Sequence, residues 1–157
     1  MKTIKIAAVS LSEFLKKAGL SLVVLSLVFS CSPDSEVRQS NPFLPEISFR
    51  MVINLSLPEY NSLNFPGNSY VTYNQGLNGV VVYNINNTQY TAFELSDPNH
   101  SLRDCSRLTV EGIIATCSCE DSNSYNILTG ELTAGTGQYS LKPYRLRKNG
   151  NVLEVYN

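Results

Sequence analysis

The chain has 157 residues, of which 43% are hydrophobic, and a formal net charge of −1. That length is enough for one domain of ordinary size. The net charge is small and the sequence has no basic patch, so nucleic acid is not an expected partner. The chain holds four cysteines and one histidine, so any histidine-dependent chemistry would have to be built on His100.

Residues 1–30 have the pattern of an export signal. Four lysines precede an apolar run, AGLSLVVLSLVFS, which extends from Ala18 to Ser30. A helix needs about 20 apolar residues to span a bilayer, and this run is shorter and ends in a small residue before a cysteine. The sequence therefore predicts a signal peptide over residues 1–30, with a short uncleaved membrane anchor as the alternative.

The end of that segment, VFSC, resembles the lipobox of bacterial lipoproteins, in which the cysteine becomes the lipidated first residue. The resemblance implies that Cys31 anchors the protein to a membrane without spanning it, outside the cytoplasm. Ser32 resembles the outer-membrane sorting pattern of Gram-negative bacteria, so we favour the outer membrane over the inner. Residues 31–45 are polar, proline-containing and without apolar periodicity, which predicts a flexible tether.

The remainder, residues 46–157, is predicted to be one all-β domain. Its first segment, EISFRMVINLSLP, has apolar residues at alternate positions, as in a long half-buried strand. The sequence pattern then predicts short strands at SYVTY, GVVVYNI, QYTAFEL, GIIATC and YNIL. The last segment, YRLRKNGNVLEVYN, predicts a hairpin with a type I′ turn at Asn149-Gly150. With no helical period after residue 31, we expect a small antiparallel β-sandwich or open barrel.

Two irregular stretches flank the GIIATC strand. They are SDPNHSLRDCSRL, residues 96–108, and SCEDSNS, residues 118–124. Both are rich in Asp, Asn, Ser and Cys, which indicates a binding site or the remnant of one. The domain holds three cysteines, Cys105, Cys117 and Cys119, and an odd count leaves one thiol over if the other two form a disulfide.

The order of these segments resembles the Rieske iron–sulfur domain, in which a Cys-x-His loop and a Cys-x-x-His loop hold a [2Fe–2S] cluster. In that family the second loop is followed by an aromatic strand, a Thr-Gly turn, a Gly-rich turn and a Leu-x-x-Tyr strand. This chain has Tyr125, then LTGE at 128–131, AGTG at 134–137 and LKPYRL at 141–146. The resemblance covers residues 79–157 and implies a Rieske-like fold with two cysteine-containing loops.

The resemblance places the four ligand positions of the family on Asp97, Asn99, Cys117 and Glu120. Only Cys117 keeps the residue type that the family uses. A Rieske centre is held by two thiolates and two imidazoles, and hard carboxylate oxygens or a neutral amide fit a sulfide-bridged iron pair poorly. The resemblance therefore implies a Rieske-type domain that has lost its cluster and holds no cofactor. A retained [2Fe–2S] centre with substituted ligands is the alternative.

High-potential Rieske proteins carry an additional cysteine in each loop, joined by a disulfide. Cys119 matches the second of these by position, and Cys105 is the candidate for the first. The resemblance thus implies a Cys105–Cys119 disulfide that clamps the loops together, with Cys105–Cys117 as the other pairing left open.

Three functions remain open on the sequence. The first is a cluster-free Rieske-like lipoprotein that binds an unknown envelope protein or small ligand, or serves in envelope structure. The second is an electron-transfer protein with a [2Fe–2S] centre. The third is a mononuclear metal site with mixed N, O and S ligands, as Zn²⁺ accepts, drawn from Asp97, His100, Cys117 and Glu120. No motif around His100 or Cys117 indicates an activated nucleophile, so the protein is not expected to be an enzyme.

Overall fold

A computed structural model describes residues 41–157, which form short antiparallel strands and two 3₁₀ helices. The strands are β1 (Arg50–Asn54), β2 (Ser69–Thr72), β3 (Val80–Asn84), β4 (Tyr90–Glu94), β5 (Leu108–Glu111), β6 (Ile114–Cys117), β7 (Ser124–Asn126), β8 (Leu132–Ala134), β9 (Arg145–Asn149) and β10 (Val152–Tyr156). The 3₁₀ helices are Pro58–Asn64 and Asp104–Ser106. The predicted all-β class is confirmed. No helix in this part of the chain is long and apolar enough to cross a membrane.

The strands make three sheets, ordered β1-β10-β9, β2-β3-β4 and β5-β6-β7-β8. All five residues of β3 are buried, because each face of this strand contacts a different core. Val80 and Val82 pack with Ile53 and Leu153, whereas Val81 packs on the other side with residues of the four-stranded sheet. The β2-β3-β4 sheet, here called the central sheet, is therefore covered on both faces. The two predicted loops lie on the side of the four-stranded sheet.

The first predicted strand is shorter than expected, but its alternation is confirmed. Met51 and Ile53 are buried, and Val52 between them is 54% exposed. β1 pairs with β10, with Ile53 opposite Leu153, so the two ends of the domain are held together in one sheet. The chain leaves β1 through a turn in which the Leu57 N–H donates to the Asn54 carbonyl at 2.9 Å. Two strands, β5 and β8, were not predicted.

The final hairpin is present, but the predicted Asn149-Gly150 type I′ turn is wrong. Asn149 pairs with Val152, so the two turn residues are Gly150 and Asn151. Only Gly150 of these two has positive φ, at 57°, which is the type II′ pattern. The observed register places Glu154 opposite Arg147, and this cross-strand ion pair favours it over the predicted one.

The predicted signal peptide and lipidated Cys31 lie outside the described residues, as does most of the predicted tether. The last five residues of that tether, 41–45, belong to the domain, which corrects the boundary at residue 46. Leu44 is 3% exposed, and the Asn41 side chain donates to the Pro98 carbonyl at 2.7 Å. The Phe43 ring lies edge-on to Tyr139, with centroids 6.2 Å apart. Apolar burial and one amide hydrogen bond thus hold a segment whose composition alone predicted a free tether.

Candidate functional site

The two predicted loops lie side by side at one end of the four-stranded sheet. The first loop, residues 96–107, is closed at its base by a bridge between Ser96 and Arg107. The second loop, residues 118–123, connects β6 to β7. A disulfide joins Cys105 of the first loop to Cys119 of the second, which is the pairing that the resemblance implied. Among the described cysteines this leaves Cys117 free.

Asp97, which the resemblance places at the first ligand position, is fully buried and accepts hydrogen bonds from three protein groups. Its Oδ1 accepts from the Tyr125 hydroxyl at 2.6 Å and from the Asn99 N–H at 2.8 Å. Its Oδ2 accepts from the Asn123 side-chain amide at 3.1 Å. Burial, and next the hydrogen bond to Asp97, raise the pKa of Tyr125 well above its usual range, so the hydroxyl remains a donor. This carboxylate therefore joins the two loops, because it accepts from Asn99 in the first and from Asn123 in the second.

The side chain of Asn99, which the resemblance places at the second ligand position, also makes all its hydrogen bonds with protein groups. Its side-chain oxygen accepts from the backbone N–H groups of Gln138 and Tyr139 at 2.9 and 3.0 Å. Its amide nitrogen donates to the Tyr139 carbonyl at 2.9 Å and to the Tyr125 hydroxyl at 3.0 Å. The adjacent Gly137 leaves room for this amide, because a Cβ there would overlap it. Asn99 therefore fixes the Gly-rich turn against the first loop.

Cys117 is the one position where the resemblance implied a retained ligand, and the structure shows that its thiol is enclosed. The side chain lies in the apolar core beneath the loops and is 2% exposed. The thiol donates to the Cys105 carbonyl at 3.3 Å, and its sulfur accepts from the Cys119 N–H at 3.4 Å. Burial raises the pKa of Cys117 to about 11, with a smaller contribution from the Asp97 carboxylate. At neutral pH this cysteine is therefore a thiol and not a thiolate.

Glu120, the fourth predicted position, is exposed, and the neighbouring Asp121 faces the site instead. The Asp121 carboxylate oxygens lie 2.9 and 2.8 Å from His100 Nε2. Asp121 Oδ2 also accepts from the Asn123 amide at 2.8 Å. A turn with positive φ (49°) at Ser122 brings Asp121 inward. The predicted mononuclear donor set is corrected on this point, because its second acid is Asp121 and not Glu120.

His100 lies between acidic and basic groups and is not an ordinary exposed loop residue. Its side chain is 14% exposed, and Nε2 is 3.6 Å from Asp97 Oδ2 in addition to the contact with Asp121. Nδ1 is 3.1 Å from the Arg103 guanidinium, which can only donate, so Nδ1 accepts and the Nε2–H donates to Asp121. One ligand atom each from Asp97, His100, Cys117 and Asp121 lies within 4.8 Å of every other.

These donors do not fit a [2Fe–2S] cluster. Such a centre needs four protein ligands of the thiolate and imidazole types. The loops offer one imidazole and one free thiol, because the other two cysteines are joined to each other. Within residues 41–157, no buried side-chain nitrogen or oxygen lacks a hydrogen-bond partner, so the polar groups of the site are satisfied by the protein itself.

Sequence reasoning missed Asp121, Asn123 and Arg103, and it assigned Tyr125 only to the aromatic strand. In the structure Cys117, Asp121, Asn123 and Tyr125 share one side of the chain, a period of two that continues from β6 into β7. The polar sequence SCEDSNS shows no such alternation, so no sequence signal identified Asp121 or Asn123. None identified Arg103 either, because its contact with His100 depends on the path of the first loop.

Among comparisons with known proteins, only the comparison with solved structures found matches to this chain. No family model matches the chain. No curated protein matches it either. A chain in the complex of reduced oxygenase and oxidised ferredoxin in carbazole 1,9a-dioxygenase is 17% identical over 71% of this chain and 94% of that chain, with a TM-score of 0.45.

Two ferredoxins show the same degree of likeness. The ferredoxin of carbazole 1,9a-dioxygenase from Nocardioides aromaticivorans IC177 is 15% identical over 70% of this chain and 97% of that chain, with a TM-score of 0.41. The ferredoxin of Sphingomonas yanoikuyae B1 is 17% identical over 71% of this chain and 99% of that chain, with a TM-score of 0.44. At these identities and TM-scores the likeness assigns no role to any residue of this chain. We therefore infer function from the residues of its own site.

Proposed function

We propose that this protein is a lipid-anchored protein of the cell envelope whose Rieske-like domain holds no iron–sulfur cluster and acts as a binding or structural module. The observation that carries the proposal is the donor set of the two loops. At two of the four ligand positions that the resemblance implies, the side chains of Asp97 and Asn99 are hydrogen-bonded to other protein groups. The third position is the exposed Glu120. Only Cys117 offers sulfur, and it is a buried thiol.

A cluster in this place would have to break hydrogen bonds that hold the loops together. Asp97 and Asn99 connect the first loop to Tyr125 and to the Gly-rich turn, and the removal of one partner from a buried polar group costs about 1–3 kcal/mol. The disulfide between Cys105 and Cys119 adds a covalent link between the loops that needs no metal. The loops are thus held in place by groups of the chain itself.

The envelope location rests on the sequence. The lipid expected on Cys31 supplies the membrane contact, with the outer membrane favoured, and the residues up to 40 supply the connection to the domain. The domain would then be presented at the membrane surface to an envelope protein or small ligand. Electron transfer through a [2Fe–2S] centre with substituted ligands is the rival function, and the donor set argues against it.

The test is a measurement of iron and acid-labile sulfide on the full chain purified in detergent, before and after anaerobic cluster reconstitution. A Rieske ferredoxin reconstituted in parallel is the positive control. We expect no stoichiometric iron or sulfide and no visible charge-transfer bands. Stoichiometric iron and sulfide with those bands would overturn the proposal and support the electron-transfer function.

A further inference from the structure

The two loops bring together four side chains with different metal-binding atoms. We infer that Asp97, His100, Cys117 and Asp121 form a mononuclear site for a divalent transition metal of the Zn²⁺ class. The inference deepens the proposed binding function and rests on it, because an iron–sulfur cluster would compete for Cys117. It differs from the ligand positions of the Rieske family at Asp121 and His100, neither of which the resemblance identified as a ligand position.

The spacing of the donor atoms is close to that of a tetrahedral site. Zinc bonds of about 2.0–2.3 Å place neighbouring ligand atoms roughly 3.3–3.8 Å apart. His100 Nε2 lies 3.6 Å from Asp97 Oδ2 and 2.8 Å from Asp121 Oδ2, and all four ligand atoms are within 4.8 Å of one another. The four ligand atoms are therefore close enough for side-chain adjustment to surround one ion.

The two carboxylates are already oriented by a shared partner. The side-chain amide of Asn123 donates to Asp97 Oδ2 at 3.1 Å and to Asp121 Oδ2 at 2.8 Å. The other oxygen of Asp97 is held by Tyr125 and by the backbone of Asn99. Outer hydrogen bonds of this kind orient the ligands of protein metal sites before the ion binds.

The chemistry of the four donors selects the class of ion. Two carboxylates, one imidazole and one thiol make a mixed O, N and S set, which suits Zn²⁺ or Co²⁺ better than the hard ions Ca²⁺ and Mg²⁺. The two negative charges facing the single imidazole are also compensated by a divalent cation. Binding replaces the S–H bond of Cys117 with a metal–sulfur bond and releases that proton to solvent.

His100 must change tautomer when a metal binds. Nε2 gives up its hydrogen to become the ligand, and Nδ1 takes one up from solvent, so the imidazole stays neutral. Arg103 opposes this step because its guanidinium donates to Nδ1. Since the Arg103 side chain is exposed, it can move into solvent at small cost. Arg103 therefore weakens metal binding in the arrangement seen here.

The test is a titration of the full chain carrying Cys31→Ser with Co²⁺, a spectroscopic substitute for Zn²⁺. The substitution removes the other thiol that could bind the metal. We expect one Co²⁺ per chain, a thiolate-to-cobalt charge-transfer band, and loss of that band when Zn²⁺ is added. Absence of the band at saturating Co²⁺ would overturn the inference.

Variants in the same background identify the ligands. Asp121→Asn and His100→Gln are each expected to weaken Co²⁺ binding about tenfold or more, whereas Glu120→Gln, at the adjacent exposed acid, leaves it unchanged. Arg103→Ala is expected to strengthen binding. Near-ultraviolet circular dichroism of each variant checks that the fold is retained. Equal losses in Glu120→Gln and Asp121→Asn would contradict the site.

The two proposals fail in distinguishable ways. Stoichiometric iron and sulfide after reconstitution would overturn the cluster-free function and this site with it. Absence of iron together with absence of the cobalt band would overturn only the metal site and leave the cluster-free module in place.

Discussion

At the scale of single residues, Glu94 shows how much of this fold depends on a buried charge. The side chain is fully buried at the end of β4. It accepts hydrogen bonds from the Leu77 and Asn78 N–H groups at 2.7 and 2.9 Å, the Ser96 hydroxyl at 2.9 Å and the Tyr144 hydroxyl at 2.5 Å. Burial and the nearby carboxylate raise the pKa of Tyr144, which keeps its hydroxyl protonated. Glu94 thereby ties the loop before β3 to the segment before β9.

Replacing Glu94 with glutamine should destabilise the domain. The amide nitrogen of glutamine cannot accept, so at least one of the four donors loses its partner in a buried place. We expect a loss of about 1–3 kcal/mol in the free energy of unfolding, measured from urea denaturation. Tyr144→Phe is the matched control, and it should cost less because Glu94 keeps its other three donors. Equal urea midpoints for Glu94→Gln and the wild type would contradict this account.

Cys117 should make stability depend on pH in the alkaline range. Its pKa is raised by burial from an ordinary value of 9.0 to about 11 in the folded state. Between these values the unfolded chain loses the proton while the folded chain keeps it, so unfolding becomes easier as pH rises. The contribution is complete below pH 9 and is lost as pH passes through 11.

The measurement is the urea midpoint of the wild type and of Cys117→Ala between those two pH values. The buried tyrosines titrate in both proteins, so the comparison isolates the cysteine. We expect the midpoint of the wild type to fall more steeply with pH. Parallel slopes would show that the thiol is not protected from ionisation in the fold.

At the scale of elements, the two loops behave as one unit because three kinds of link join them. The disulfide connects their backbones, His100 contacts Asp121 across them, and Asp97 accepts from Asn123 and Tyr125. Apart from the short 3₁₀ helix Asp104–Ser106 in the first loop, neither loop has regular secondary structure of its own. The order of each loop therefore depends on the other, as expected where non-local contacts replace secondary structure.

Loss of the disulfide should lower stability without changing the fold class. The two cysteines are 14 residues apart, and closing a loop of that size reduces the entropy of the unfolded chain by an amount worth about 3 kcal/mol. The double variant Cys105→Ala, Cys119→Ala is expected to lose that much in urea unfolding. Addition of a phosphine reductant should lower the stability of the wild type and leave the double variant unaffected. A loss on reduction in both proteins would assign the effect to something other than this bond.

At the scale of the whole molecule, the covered central sheet explains how so small an all-β domain acquires two cores. β3 contributes alternate residues to each, so one strand is shared by both hydrophobic clusters. The pairing of β1 with β10 joins the ends of the domain on one side, and the two loops lie on the other sheet. The site therefore lies on a different sheet from the paired first and last strands, while Asn41 at the start of the domain reaches the first loop through its hydrogen bond to Pro98.

The anchor makes a prediction for the whole protein. If Cys31 carries lipid, the wild type should be recovered in the membrane fraction after export, and Cys31→Ser should be recovered in the soluble fraction. Fractionation with washes at high salt separates a lipid anchor from electrostatic attachment, because salt screens only the latter. Retention of Cys31→Ser in the membrane fraction would support the uncleaved anchor that the sequence left as the alternative.

The sequence by itself determined those features that depend on local pattern. Period-two alternation predicted the all-β class and the inward face of β1, and turn residues bounded most strands correctly. The Rieske resemblance led to the disulfide partners that the structure joins, Cys105 and Cys119, and it pointed to Asp97 and Cys117, whose donor atoms lie close together. These predictions from the sequence succeed because side-chain alternation and residue spacing are local properties of a strand and its flanking loops.

Tertiary structure alone decided which side chains meet. Asp121 takes the place predicted for Glu120 because the turn at Ser122 sets the direction of the second loop, and the turn of the last hairpin follows the register of β9 and β10 rather than its local sequence. Residues 41–45 join the domain because Leu44 finds an apolar site, which composition cannot indicate. A shift of one residue reverses the direction of a side chain, so contacts between distant segments depend on the path of the backbone, which local pattern does not specify.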